Sequence, residues 1–370
     1  MSVTRKKRRI MFGLLTLLLV CILVPSIAIL ICSPGKVEPF TDENGKQVPG
    51  SISEKLFIKI GGVKQGMFIR GKNVNNPVIL YLHGGMPDYF LTKKYPTGLE
   101  EYFTIVWWEQ RGSGLSYDVS IPRETMTTEQ MISDTKELTN YLLRRFGREK
   151  IYLMGHSGGT FIGIQAAAQA PELYHAYIGV AQMSDQLKSE VIAYEYMLTK
   201  FRENGNYKMA ERLEAAPVSV SQGISDAYRR LRDPAMHSLG IGTTRDMKSV
   251  ISGIFIESLK CREYTVTEKI DLWKGKATSG ISTLWNEMIT TDLSEKVPEL
   301  KIPVYFIEGI FDYTCSYTEA KSYFEILKAP VKGFYTFAAS AHSPLFEEPD
   351  KMKQIMLEDV LSGTTRLADK

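Results

Sequence analysis

Cysteine is scarce in this chain of 370 residues: there are four, and Cys21 and Cys32 fall inside one long apolar run. That leaves Cys261 and Cys315 with no close-spaced pair, which excludes a zinc site of the Cys-x-x-Cys kind. These two thiols either form one disulfide outside the cell or stay apart and buried, the second being the simpler state. Repeats and low-complexity tracts are lacking beyond a basic N-terminal run, which excludes a solenoid. An excess of positive charge is lacking too. Of 45 Lys and Arg against 42 Asp and Glu, five are Arg5 to Arg9, so the remainder is slightly acidic and carries no nucleic-acid footprint. With 44% apolar and 24% charged residues, the chain has material for one large domain, or for a domain with a sizeable insertion.

What is there begins with Arg5-Lys6-Lys7-Arg8-Arg9, followed by an uncharged apolar run from Ile10 to Cys32. As a helix that run is long enough to cross a hydrocarbon core of about 30 Å. A cleaved signal peptide is the competing reading. The run exceeds the usual length of such a segment, and no small-x-small cleavage site precedes Ser33-Pro34-Gly35, so an uncleaved anchor is expected. The basic flank places residues 1–9 in the cytoplasm, 10–32 in the cell membrane and the rest outside. Residues 33–52, with Pro34-Gly35, Asn44-Gly45 and Pro49-Gly50 as turn signals, read as a linker.

From Ser53 the pattern is that of a mainly parallel α/β sheet. Lys55 to Ile60 and Val63 to Arg70 read as a hairpin around Gly61-Gly62, and Val78 to Leu82 and Phe103 to Glu109 as strands buried on both faces. Thr127 and Gln130 have the spacing of a capping box for a helix reaching Phe146, stopped by Gly147. A strand at Ile151 to Met154, a helix from Gly158 to Ala170 and a strand at Tyr177 to Val180 continue a βαβ alternation. Between residues 182 and 297 the alternation stops. Helical stretches such as Ser189 to Glu203 and Tyr207 to Glu214, broken at Pro217 and Pro234, predict a helical cap. Strands at Val304 to Glu308 and Gly333 to Phe337, a helix from Thr318 to Leu327 and a last one from Pro349 to Leu361 close the domain. The core is therefore expected over 53–181 and 298–365, with the cap as an insertion.

Chemistry concentrates in three places. Gly155-His156-Ser157-Gly158-Gly159 fits G-x-S-x-G, and it stands where that motif must stand, between a strand and a helix. A nucleophile on so sharp a turn needs strained backbone angles and small neighbours. His83-Gly84-Gly85 follows another buried strand, where a backbone N–H of Gly85 can join that of Gly158 to hold an oxyanion. A hydroxyl needs a base, and of the five histidines only His342 lies in a loop after the last strand and beyond an acid. That acid is Asp312, four residues past Glu308, with Asp292 the weaker substitute. The order Ser157, Asp312, His342 is the order this fold uses.

His83-Gly84-Gly85, Glu109-Gln110-Arg111-Gly112-Ser113-Gly114-Leu115-Ser116 and the Ser157 elbow together resemble α/β-hydrolases related to proline iminopeptidases, over about Ser53 to Leu361. In that family Pro-Gly usually follows the first pair of glycines, Asp opens the second motif and Trp follows the nucleophile. Met86-Pro87, Glu109 and Gly158 stand here instead. The resemblance implies glutamates in the cap that bind a substrate amine. Glu190, Glu195 and Glu203 lie on one predicted helix, though a solvated face is expected for most of them. Cap aromatics such as Tyr194, Tyr196, Trp273 and Trp285 either line a pocket or pack the cap.

The expected activity is acyl transfer on a small ester, amide or short peptide, with no metal or organic cofactor needed. A catalytically silent surface protein that uses the fold for binding is the alternative from another class.

Overall fold

Apolar residues in β1 (Ile52–Ile60) and β2 (Val63–Gly71) are brought together antiparallel by the Gly61-Gly62 turn, with Ile60 paired to Val63. The computed structural model describes residues 2–370, with the backbone alone for residues 2–6, 8–10, 22 and 25. The basic side chains of the N-terminal run, Lys7 apart, therefore lie outside the described residues.

The hairpin leads into β3 (Val78–Leu82), β4 (Thr104–Glu109), β5 (Ile151–His156), β6 (Tyr174–Val180), β7 (Val304–Gly309) and β8 (Lys332–Phe337). These make one eight-stranded sheet in the order β1-β2-β4-β3-β5-β6-β7-β8, parallel from β4 to β8. β3 and β4 are buried at every residue, as their unbroken apolar runs require. Successive residues of β3 serve opposite layers: Leu80 and Leu82 join one buried cluster, Ile79 and Tyr81 the other. From β3 the chain winds first toward β4 and then, after β4, to β5 on the other side. The crevice between the carboxyl ends of β3 and β5 is where such sheets hold ligands.

Three helices precede the insertion: α1 (Ser2–Ile31), α2 (Thr128–Phe146) and α3 (Gly158–Gln169). In α1 the window Met11–Ile31 is long and apolar enough to cross a membrane, with mean hydropathy 3.0 and none of it buried against the rest of the chain. The expected capping box on α2 forms by half. Thr127 Oγ1 accepts from Gln130 N at 3.1 Å, but the Gln130 side chain donates to Asp134 Oδ1 instead of turning back to Thr127. There its amide nitrogen makes a charge-assisted bond to a buried carboxylate.

Between β6 and β7 lie α4 (Gln186–Glu203), α5 (Tyr207–Glu214), α6 (Asp226–Leu239), α7 (Ile256–Lys260), α8 (Val266–Thr278), α9 (Trp285–Thr290) and α10 (Leu293–Lys296). Pro234, expected as a break, sits inside α6, which runs on to a left-handed Gly240. Tyr228 and Leu231 before it and Ala235 and Met236 after it belong to one buried cluster with Met197, Phe201 and Leu213, so packing holds both halves despite the missing N–H. After β7 come α11 (Tyr317–Ile326), α12 (Pro344–Glu347) and α13 (Pro349–Ile355). The last continues as a π-helical turn over Met356–Val360 rather than as regular helix to Leu361. Cys261 and Cys315 are both buried and unpaired, so the disulfide alternative is not realised.

Candidate active site

Ser157 is one of two non-glycine residues with positive φ among those described, at φ 55° and ψ −126°. The turn is locked by Ser157 N donating to Val180 O at 3.0 Å and Thr160 N donating to Ser157 O at 2.8 Å. Close approach explains the flanking glycines. A Cβ on Gly159 would lie 2.1 Å from the Leu82 carbonyl oxygen, and one on Gly155 would lie 2.8 Å from that of Gly159. The strain puts the Ser157 side chain at the mouth of the crevice, at the N-terminus of α3.

The loop after β3 closes over it. A Cβ on Gly84 would stand 2.7 Å from Ser157 Cβ, so only glycine fits there. His83 fixes this loop from beneath. Its Nε2 accepts the Gln110 N–H at 3.1 Å, which leaves Nδ1 to donate to Gly84 O at 2.8 Å. Burial holds the His83 pKa down at about 4, so the ring stays neutral in that tautomer. Gln110 Nε2 also donates to His83 O at 2.8 Å. Among the described hydrogen bonds none occupies the N–H of Gly85 or of Gly158. Both residues line the same cavity as Ser157.

Asp312 is fully buried, with Oδ1 accepting from the N–H groups of Thr314 and Cys315 at 2.7 and 3.0 Å. Its Oδ2 faces His342 Nδ1 at 2.8 Å. Burial lowers the His342 pKa. The Asp312 carboxylate works against that shift, and the neighbouring His156 adds to it, so the ring is neutral at pH 7. Among the described hydrogen bonds none joins Ser157 Oγ to the His342 ring. Cys315 lines the same cavity, and burial pushes its thiol far up. The sequence-selected Ser157, Gly85, Gly158 and His342 thus all face one cavity, with Asp312 behind His342, whereas Asp292 caps α10 with its Oδ1 on Ser294 N at 2.8 Å.

The cavity holds about 340 Å³. The cap supplies its other walls, including Arg232, Met236, Trp273, Lys276 and Trp285. Glu190 departs from the expected solvated face. It is fully buried, with both carboxylate oxygens 2.8 Å from Arg232 Nε and further bonds from Tyr228 and Gln186. Glu195 and Glu203 are exposed as expected.

One buried group here escaped sequence reasoning. His156 reaches Asp88 Oδ2 with Nδ1 at 3.0 Å and the His342 carbonyl with Nε2 at 2.9 Å. Glu190 did carry a signal, because Gln186, Glu190, Ala193, Met197 and Phe201 share one helical face and are all buried.

Comparison with known proteins agrees with this architecture. Residues 77–255 match the family model described as alpha/beta hydrolase fold. The probable aminopeptidase YbaC of Bacillus subtilis (strain 168) is 32% identical over 303 residues, which span 81% of this chain and 93% of that protein. The chain belongs to the α/β-hydrolase family. Within this family it is related to the proline iminopeptidase of Saccharolobus solfataricus, 21% identical over 78% of this chain and 86% of that one. A solved proline iminopeptidase-related protein from Thermus thermophilus shares the fold, with TM-score 0.56 and 18% identity over 85% of this chain and 99% of its own.

Proposed function

We propose that this hydrolase is a membrane-anchored serine hydrolase that cleaves an ester or amide bond through an acyl-enzyme. The observation that carries the reading is the Asp312–His342 contact of 2.8 Å beside a strained serine on a shared cavity. His342 takes the Ser157 hydroxyl proton as Oγ attacks the substrate carbonyl. The Gly85 and Gly158 N–H groups hold the oxyanion, and His342 then protonates the leaving alcohol or amine. Water, deprotonated by the same ring, releases the acid and restores Ser157. Asp312 keeps the ring in the Nδ1–H tautomer and stabilises the imidazolium.

Kinship with a probable aminopeptidase supports a short peptide or amide as substrate, while the apolar walls Phe90, Leu91, Met236 and Trp273 also suit an acyl group. In this reading α1 anchors the chain, the basic run stays in the cytoplasm and the site works outside. The test is labelling of the full-length protein with a fluorophosphonate. An adduct on Ser157 that Ser157→Ala abolishes is expected, and proline-naphthylamide and short acyl esters then rank the two substrate classes. A folded protein that takes no adduct would point to a binding protein on the same fold.

A further inference from the structure

Outside α1 the exposed large apolar side chains are few, and four of them come from one stretch of the cap: Ile251 (68% exposed), Phe255, Ile256 and Ile270 (50%). Three lie on one short helical segment and the fourth on α8, which packs against it. Ile251 and Phe255 are four residues apart on the helical turn Ile251–Phe255 that runs into α7, and Phe255 packs edge-on against Trp273 with centroids 5.2 Å apart. Trp273 lies one turn beyond Ile270 on α8, and its Nε1 donates to Ser258 Oγ at 3.0 Å, which ties α8 to α7.

This patch is wired to the end of the apolar helix. Lys269, next to Ile270, donates from Nζ to Cys32 O at 2.6 Å, to Ser33 Oγ at 2.9 Å and to Leu259 O at 2.6 Å. One ammonium thus gathers the exit of α1, the end of α7 and the face of α8. Gly35 N donates to Arg262 O at 3.0 Å, and Pro34 bridges to Thr265, so the exit is fastened over several residues. At 1.5 Å per residue the window Met11–Ile31 spans about 31 Å, the full hydrocarbon thickness, which sets Cys32 at its outer edge. The patch beside Lys269 then sits at headgroup depth, with exposed Lys260 and Arg262 flanking it as interfacial cations.

The inner side of the same elements lines the cavity: Val250 and Ile254 from the 250s helix, Trp273 from α8. A single helix thickness therefore separates the outer patch from the space above Ser157. We propose that the cap face formed by Ile251, Phe255, Ile256 and Ile270 rests in the bilayer surface, and that the site takes amphiphilic esters or amides with an apolar arm that reach it from the membrane on this side of the cap. The proposal rests on the reading of α1 as an anchor and of Ser157 as the nucleophile.

The test uses the full chain in nanodiscs of plain or brominated phosphatidylcholine. Brominated lipid should quench the added fluorescence of an Ile256→Trp variant, and leave that of Ile326→Trp, an exposed position on α11, close to the parent. Equal quenching at both positions would overturn the membrane contact whatever the enzyme does. In the second arm, Ile251, Phe255, Ile256 and Ile270 are all changed to Ser. Hydrolysis of a long-chain acyl ester held in the bilayer should fall roughly tenfold or more, while a water-soluble acetate ester is cleaved at the parent rate. Equal rates on both esters in variant and parent would overturn the entry route. Loss of acetate hydrolysis in the parent itself would instead strike the serine-hydrolase reading and leave the quenching result standing.

Discussion

His156 Nε2 lies 2.9 Å from the backbone carbonyl oxygen of His342, so the residue before the elbow serine props the loop that carries the proposed base. Its other nitrogen faces Asp88, and Tyr81 donates to the same Asp88 oxygen at 2.6 Å. Both ring nitrogens meet acceptors, a setting that only the doubly protonated ring satisfies. Burial pulls the His156 pKa down, but Asp88 and the His342 carbonyl outweigh it and hold the value above the ordinary one. A buried cation therefore stands against the His342 ring, 5.1 Å away between centroids, and helps keep it neutral.

A pH profile follows from this pair. The His342 pKa lies below 6.5, so the acid limb of kcat/KM should fall below that value. In His156→Gln the neighbouring charge is gone, the neutral base loses part of its protection, and the limb should move to higher pH. Profiles of parent and variant on one neutral ester decide it; an unmoved limb would mean that His156 carries no charge there.

The sheet was legible in the sequence because its central strands are short, mostly apolar runs, and such runs fix β3, β4 and β7 almost to the residue. The elbow and the loop after β3 were legible for a different reason, since close backbone approach admits glycine alone. The partners of buried polar groups were not legible. Nothing in the residues around His156 announces Asp88, 68 positions earlier, and nothing near Lys269 announces Cys32. Such pairs are made by topology, and a periodic pattern registers only that a position is buried. Pro234 misled because local propensity was outweighed by packing on both sides of it.

Gly84→Ala tests the loop over the nucleophile. The new methyl would meet Ser157 Cβ at 2.7 Å, on a chain already fixed through His83 and Gln110. The loop must retreat, and with it the Gly85 N–H. kcat is expected to fall about 10²-fold or more with the melting temperature little changed, because a displacement of about 1 Å at the reacting centre has that cost. Thermal unfolding beside steady-state kinetics separates this outcome from simple misfolding.

Arg111 ties three elements together far from the cavity. Its Nε and Nη2 reach Asp134 Oδ2 and Oδ1 at 2.7 and 3.1 Å, and Nη2 also donates to Gly61 O at 2.7 Å, joining α2 to the β1–β2 turn. Both side chains are buried, so removing one charge strands the other. Arg111→Met should lose about 3–5 kcal/mol of stability by denaturant unfolding. Arg111→Lys should recover little of it, because an ammonium cannot span both carboxylate oxygens and the turn carbonyl.

Glu109 offers a stability prediction with a definite sign. Burial pushes its pKa up to about 8, although the Tyr264 hydroxyl and the Leu115 N–H both donate to it and pull the value back. Unfolded, the carboxyl titrates near 4.5. A group raised in the folded state contributes its full stability below the unfolded value, and that contribution drains away as pH rises through the folded one. The protein should therefore weaken between about pH 4.5 and pH 8 on this account, and the loss should level off above. Glu109→Gln keeps the size and can still accept from Leu115 while donating to the Tyr264 oxygen, but it cannot ionise. Its melting temperature should lack that component of the decline, so the gap between variant and parent widens from about pH 4.5 to about pH 8 in the variant's favour and is constant above. Parallel curves across that range would show that Glu109 is already ionised in the folded protein.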